Sequence, residues 1–493
     1  MIGDPTGPVP VPGPVADDPF AAGEAGGRVI RGGSLRVAGS LAGVLAGVIS
    51  APLVVRHLGV ANYGRYLTVT SVIFVITALT EGGLANVAVR MFTVGDAARR
   101  RSLIANLTGL RVALGAFGAV AAVGFGAIAG YEQILIVGLA LGAAGYVLSG
   151  IQGSYSVALS GTLRLGALAG VDLMRSVATS VLLVTLVIAN SGLTGFYLVA
   201  SIVQALALLV TAALVRREVP LRPAFHRASW RELIHETAIY ALAATLGAVY
   251  FQVALISMSL IDPGSQTGYY AIAFRIVDIL NGIPWLLAAS VLPVLAVAAS
   301  GDHLRLRFVA GRVFEGAAIA GGWMALIIIL GASFGIDIIA GAKGHPSIAV
   351  LRIMGIGVMA TYLVASWGFV LLSLRMFRQL AIANASALLL AVLLSAILIP
   401  TLHARGGAIT TVALEFWLAV FYIALLFRRG IRPPTPFLLR FAVAVGLGLA
   451  VGALVLNVSS AAAVVAASAI YFAALWTMRA IPSELIDALP WRR

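Results

Sequence analysis

Twelve ionisable side chains lie inside long apolar runs of this chain, and their types and spacing could do chemistry. They are Glu81, Arg90, Arg111, Asp172, Arg175, Arg275, Asp278, Arg312, Glu315, Arg352, Glu415 and Arg440. A charge at the centre of a bilayer costs about 2.5–3.5 kcal/mol. Each should therefore face a protein interior or a wet cavity. Asp172/Arg175, Arg275/Asp278 and Arg312/Glu315 are each spaced i,i+3, on one helix face. Such pairs either neutralise themselves for insertion or form a polar stripe along a cavity. In a cavity the arginine fork can exchange its carboxylate for a phosphate and bind it bidentately. Arg111 lies ~13 Å into its run and Arg275 ~10 Å into its own, at 1.5 Å per residue. Both are cavity candidates, with Asp278 beside Arg275. Glu81 and Glu415 have no local basic partner. A lone carboxylate at depth suits a proton relay or an ion site, or a hydrogen bond to the bundle interior. Arg90, Arg352 and Arg440 lie close enough to run ends to reach the interface with their long stems.

The elements that position these residues follow from composition. Of 493 residues, 61% are hydrophobic and 11% are charged, and the mean hydropathy is +1.03. A span needs ~20 apolar residues to cross ~30 Å of hydrocarbon. About fourteen runs meet that need: 36–56, 66–90, 102–129, 133–158, 166–189, 193–215, 233–260, 268–297, 306–331, 348–373, 379–400, 406–427, 436–456 and 459–478. The expected fold class is an all-α polytopic membrane protein. Cysteine is absent, which excludes disulfides and thiol chemistry. The six histidines have no metal-ligand spacing, and no cofactor is expected. The loop and tail cations divide 22 against 4 when the N-terminus is placed inside; the four are Arg56, Arg65, Lys343 and Arg405. That asymmetry predicts both termini in the cytoplasm. It also explains the net charge of +14 by anionic membrane lipid, without nucleic acid.

Residues 164–217 and 378–429 read alike, each ending in a double arginine, Arg216-Arg217 and Arg428-Arg429. Asn62-Tyr63-Gly64 opens the second span much as Thr267-Gly268-Tyr269 opens the eighth. A period of six spans predicts two lobes in parallel repeat with a site between them. The expected organisation is a disordered cytoplasmic tail (1–34), a six-helix lobe (35–215) and a cytoplasmic linker (216–232). A second six-helix lobe (233–430) follows, then two extra C-terminal helices with a short tail (431–493). Within the linker, Ser229-Trp230-Arg231-Glu232 has capping-box spacing, and Trp230 reads as an interfacial anchor. The longest outer loop, 332–347, is too short to house an extracytoplasmic active site. Pro52, Pro284 and Pro293 fall in or near span ends and can kink them.

The stretch from Pro52 to Gly59, with Asn62-Tyr63-Gly64-Arg65-Tyr66, resembles the first inter-helix turn of the oligosaccharide (O-antigen and polysaccharide) flippases. That family belongs to the multidrug/oligosaccharidyl-lipid/polysaccharide exporter superfamily. Glu81-Gly82-Gly83-Leu84 with Arg90 resembles its second span, and the run from Gly268 to Arg275, with Pro284 and Pro293, its eighth. The resemblance implies alternating access of two six-helix lobes that carry a polyprenyl-pyrophosphate-linked oligosaccharide to the outer leaflet. It implies a bacterial cytoplasmic membrane, no enzyme activity, and contact with other polysaccharide-assembly membrane proteins. Carried onto this chain it assigns substrate contact to Arg275, with Glu81 and Arg90 on the second span. The deep charges number seven basic against five acidic, and that balance suits a weakly charged glycan head. A peptidoglycan-precursor flippase or a small-molecule exporter of the same superfamily is the alternative. A membrane glycosyltransferase or polymerase is a remoter one.

Overall fold

A computed structural model describes residues 22–299, 303–432 and 435–481. Its elements are α1 (Ala22–Glu81), α2 (Leu84–Val94), α3 (Ala97–Ile128), α4 (Gln133–Gly161), α5 (Leu165–Ile188), α6 (Leu193–Val215) and α7 (Arg227–Ile261). They continue with α8 (Ser265–Ala299), α9 (His303–Ala340), α10 (Ser347–Ser373), α11 (Phe377–Arg428), α12 (Thr435–Val455) and α13 (Ser460–Thr477). The thirteen helices among the described residues make an all-α membrane protein. α1 and α11 are each two crossings folded at one residue, Gly59 (φ 74°) and His403 (φ 52°). α2 continues the second limb of α1 beyond a break at Gly82-Gly83. Among the described residues ten helical stretches are long and apolar enough to cross a membrane, two of which, Ile49–Val94 and Phe377–Arg428, contain a bend or break.

Three details differ from expectation. Helix α1 already begins at Ala22, so residues 22–34 of the expected disordered tail are helical. Adding a turn to an existing helix avoids the nucleation cost. Residues 1–21, and 482–493 at the other end, lie outside the described residues. Helix α9 and a 3-10 turn (Gly341–Gly344) occupy most of the expected loop 332–347. Helix α7 starts at Arg227 with no side-chain cap, so Ser229 lies inside the helix and does not cap it.

The turns before α5 and α11, where the sequence match begins, close alike, with a closure that also ends α3, α5, α11 and α13. Leu163 (φ 57°) and Arg375 (φ 56°) take the left-handed conformation just before α5 and α11. Arg164 N–H bonds to Leu159 O and Leu163 N–H to Ser160 O. Met376 N–H to Leu371 O and Arg375 N–H to Leu372 O repeat that pattern. Both are Schellman closures.

The apolar cores show how the lobes meet. One cluster runs through both lobes, joining Val55, Tyr63 and Tyr197 to Met258, Tyr270 and Ile336. It lies at the face that carries Arg56, Arg65, Lys343 and Arg405, the arginine-poor face. Towards the other face the core divides. Leu107, Tyr155 and Leu233 anchor one cluster; Phe314, Trp367 and Tyr471 anchor the other. The lobes are thus fused at the arginine-poor face and separate at the arginine-rich one.

Gly64 and Gly268 permit the fusion. A Cβ on Gly64 would lie 2.8 Å from the Gly268 backbone nitrogen, and one on Gly268 would strike the Val60 carbonyl. Neither backbone can yield cheaply. Gly268→Val is expected to destabilise the protein by about 1–3 kcal/mol, the range for overpacking. Thermal unfolding in detergent checks this; an unchanged midpoint would mean that the contact is not closed in solution.

Candidate functional site

A cavity of about 750 Å³ opens where the two cores part. Its walls come from the second limb of α1 (Thr70, Ser71, Phe74), from α7 and α8, and from α10 and both limbs of α11. The lining extends to Leu372 and Phe377, beside the arginine-rich turn that holds Arg375. Both lobes therefore contribute.

Helix α8 presents Arg275, Asp278 and Asn281 to this cavity. Their i, i+3, i+6 spacing keeps them within one face. Arg275 Nη1 donates to Asp278 Oδ2 at 3.0 Å, and both side chains are about one-third exposed. The guanidinium also reaches the opposite lobe: Nη2 lies 3.7 Å from where a Cβ on Gly47 would stand. Among the described lining residues Arg275 is the only cation, and Asp278 and Glu415 are the acids. Glu415 is buried on the second limb of α11, where Tyr250 O–H donates to its Oε1 at 3.3 Å. Glu415 Oε2 is buried without a hydrogen-bond partner. Two helical turns beyond this acid, Tyr422 O–H donates to Asn384 Oδ1 on the first limb.

Arg111 and Glu81 come together elsewhere. They lie on different elements of the first lobe, across Gly150 on α4. A Cβ on Gly150 would stand 3.2 Å from Glu81 Oε1 and 3.6 Å from the Arg111 Cβ. Arg111 is 3% exposed and donates from Nη1 to Gly150 O at 3.3 Å. Its Nε and Glu81 Oε1 are buried without hydrogen-bond partners. Thr80 and Tyr146 hydrogen-bond beside them. Neither residue lines the cavity, and neither does Arg90, which is exposed on α2. The sequence leaves both Glu81 and Arg111 without a local partner, and the fold makes them neighbours.

The other i,i+3 pairs form as spaced. Arg175 meets Asp172 at 2.6 Å, and Arg312 meets Glu315 at 2.7 Å. Arg312 also lies over the Phe308 ring. Neither pair lines the cavity. Exposed Arg440 donates to the Arg479 carbonyl near the arginine-rich face.

The arginine-poor face is latched across the lobes. Arg56 Nη2 donates to Asp337 O at 2.9 Å and to Ile338 O at 2.8 Å. Tyr131 O–H and Ser259 Oγ lie 2.6 Å apart. Deeper in, Ser71 Oγ donates to Gln252 Oε1 at 2.8 Å. Within each lobe His57 meets the Ser191 carbonyl and His403 meets Asp262. On the opposite side the linker is fastened to α3. Ala224 N–H bonds to Ala105 O, His226 N–H to Asn106 Oδ1, and the Trp230 indole N–H to Asn106 O. The indole of Trp230, expected at the lipid interface, also serves this joint.

Sequence reasoning weighed charges and passed over amides. Gln252, Asn281 and Asn384 all line the cavity from three different helices. The available signal was an uncharged polar side chain inside an apolar span, which needs a partner as a charge does.

The polysaccharide biosynthesis protein family matches residues 29–298. No curated protein matches the chain. Among solved structures, the chain is similar to the lipid II flippase MurJ in an inward closed conformation. The TM-score is 0.75 at 11% identity, covering 92% of this chain and 99% of that one. It is also similar to an inward-facing MATE-family multidrug resistance transporter of the MOP superfamily (TM-score 0.66, 15% identity, 80% and 97% covered). An outward-facing MATE-family structure matches at 0.57, again at 15% identity, with 82% and 94% covered.

Proposed function

Because the chain belongs to the polysaccharide biosynthesis protein family and has the fold of lipid flippases and exporters, we propose that it flips a polyprenyl-pyrophosphate-linked oligosaccharide. The direction is from the inner to the outer leaflet of a bacterial cytoplasmic membrane, with the arginine-rich face and both termini in the cytoplasm. The observation that carries this reading is the cavity. It is walled by both lobes, sealed at the arginine-poor face, and furnished with an arginine already paired to an exchangeable carboxylate.

In this mechanism the head enters from the arginine-rich side. Arg275 releases Asp278 and takes the pyrophosphate through bidentate hydrogen bonds. The lobes then close behind the head, and the latch through Arg56 and Tyr131 parts on the other face. The aliphatic tail stays in the bilayer. Glu81 and Glu415 serve coupling: each holds a carboxylate oxygen, buried and unpaired, ready for a proton or a cation. Arg111, beside Glu81 across Gly150, belongs with that acid. A peptidoglycan precursor is the second reading, favoured by the match to the lipid II flippase over 92% of this chain.

Purified protein in proteoliposomes with a fluorescent polyprenyl-pyrophosphate oligosaccharide tests the proposal. A membrane-impermeant quencher follows exchange between leaflets. Protein-dependent exchange is expected, and Glu81→Gln and Glu415→Gln are expected to blunt its response to an imposed ion gradient. No exchange by folded protein, with several glycans, would overturn the flippase reading.

A further inference from the structure

Asn281 is 7% exposed and lines the cavity, yet neither its Nδ2 nor its Oδ1 has a hydrogen-bond partner. A buried carboxamide with both ends empty is unfavourable unless something completes it. We infer that Asn281 is a sugar-reading subsite: its amide binds a vicinal pair of hydroxyls on the glycan head. This rests on the flippase reading and adds to it the contact that distinguishes a sugar-bearing lipid from a bare one.

The chemistry selects the ligand. A primary amide offers one acceptor and a two-proton donor on the same edge. A vicinal diol offers the same two functions from adjacent carbons: one hydroxyl donates to Oδ1 while its neighbour accepts from Nδ2. A phosphate offers acceptors alone and would leave Oδ1 empty. A hydrocarbon tail offers neither and would leave both ends empty.

Position agrees with this choice. Asn281 lies six residues beyond Arg275 along α8, ~9 Å at 1.5 Å per residue, on the arginine-rich side of it. A lipid held by its pyrophosphate at Arg275 would present its first sugars near that distance. Phe251 and Phe274 line the same cavity and supply apolar faces for sugar rings. Gln252 and Asn384 add further amides from neighbouring helices. The cavity volume falls in the ~300–1,000 Å³ range of small-molecule sites, enough for a head of a few sugars.

The test measures binding of purified full-length protein to four probes. These are polyprenyl pyrophosphate carrying glucose, galactose or mannose, and polyprenyl pyrophosphate with no sugar. Wild type is expected to prefer at least one sugar-bearing probe to the bare lipid by tenfold or more. Asn281→Leu, checked for monodispersity and thermal midpoint, is expected to lose most of that preference. Asn281→Gln, which keeps both polar atoms, is expected to keep part of it. Methylating the hydroxyls of the preferred sugar should reproduce the loss on wild type. Full preference retained by Asn281→Leu would overturn the subsite, as would equal binding of all four probes by wild type. Binding of none of them would overturn the flippase reading and the subsite with it.

Discussion

Arg275→Ala is expected to cut transport about ten- to hundredfold while the protein stays folded. A hydrogen bond to a charged group contributes about 1.5–3 kcal/mol, and each 1.4 kcal/mol is a factor of ten in affinity. Arg275 is the only cation among the described cavity-lining residues, so no neighbour there can substitute for it. The substitution also strips Asp278 of its partner at 3.0 Å, and an uncompensated carboxylate is itself harmful. The double variant Arg275→Ala/Asp278→Asn separates the two effects. If Arg275 holds the substrate, the double variant is as slow as the single one. Transport restored in the double variant would show that Arg275 only neutralises Asp278.

Cross-linking the arginine-poor face is expected to abolish transport altogether. Tyr131 and Ser259 meet there from opposite lobes, 2.6 Å apart at their hydroxyls. The chain has no cysteine, so Tyr131→Cys/Ser259→Cys carries the only two thiols in the protein. A short, reducible bifunctional thiol reagent would join the lobes in the arrangement described here. Each single-cysteine variant with the same reagent should transport normally, and reduction of the double variant should restore activity. Full transport by a verified cross-linked protein would mean that this face does not open, and alternating access would fail with it.

Much of the fold was legible because the signal was local. Apolar run length placed the helices, often to within a few residues, as at 193–215 for α6. The i,i+3 pairs formed as spaced, since helix geometry alone fixes them. Features that depend on contacts between distant segments were hidden. Glu81 and Arg111 look solitary because their meeting needs α1 and α3 to pack across Gly150 of α4. Asn281 drew no attention, because a single amide carries no charge and matches no motif. The Ser229 cap failed because packing of the linker onto α3 sets the start of α7, overriding a local preference.

The fastening of the linker bears on how the two lobes can move. Helix α7 is a single unbroken rod from Arg227 to Ile261. Its first turns are bolted to the first lobe by the Trp230 and His226 contacts to Asn106, and near its far end Met258 packs against Gly407 on α11 of the second lobe. It therefore works as a beam clamped at both ends, and the lobes have no slack tether between them. A rotation of one lobe against the other must appear as curvature of this beam or as release of one clamp. The stiffness of α7 thus sets part of the energy of switching, apart from any contact with cargo.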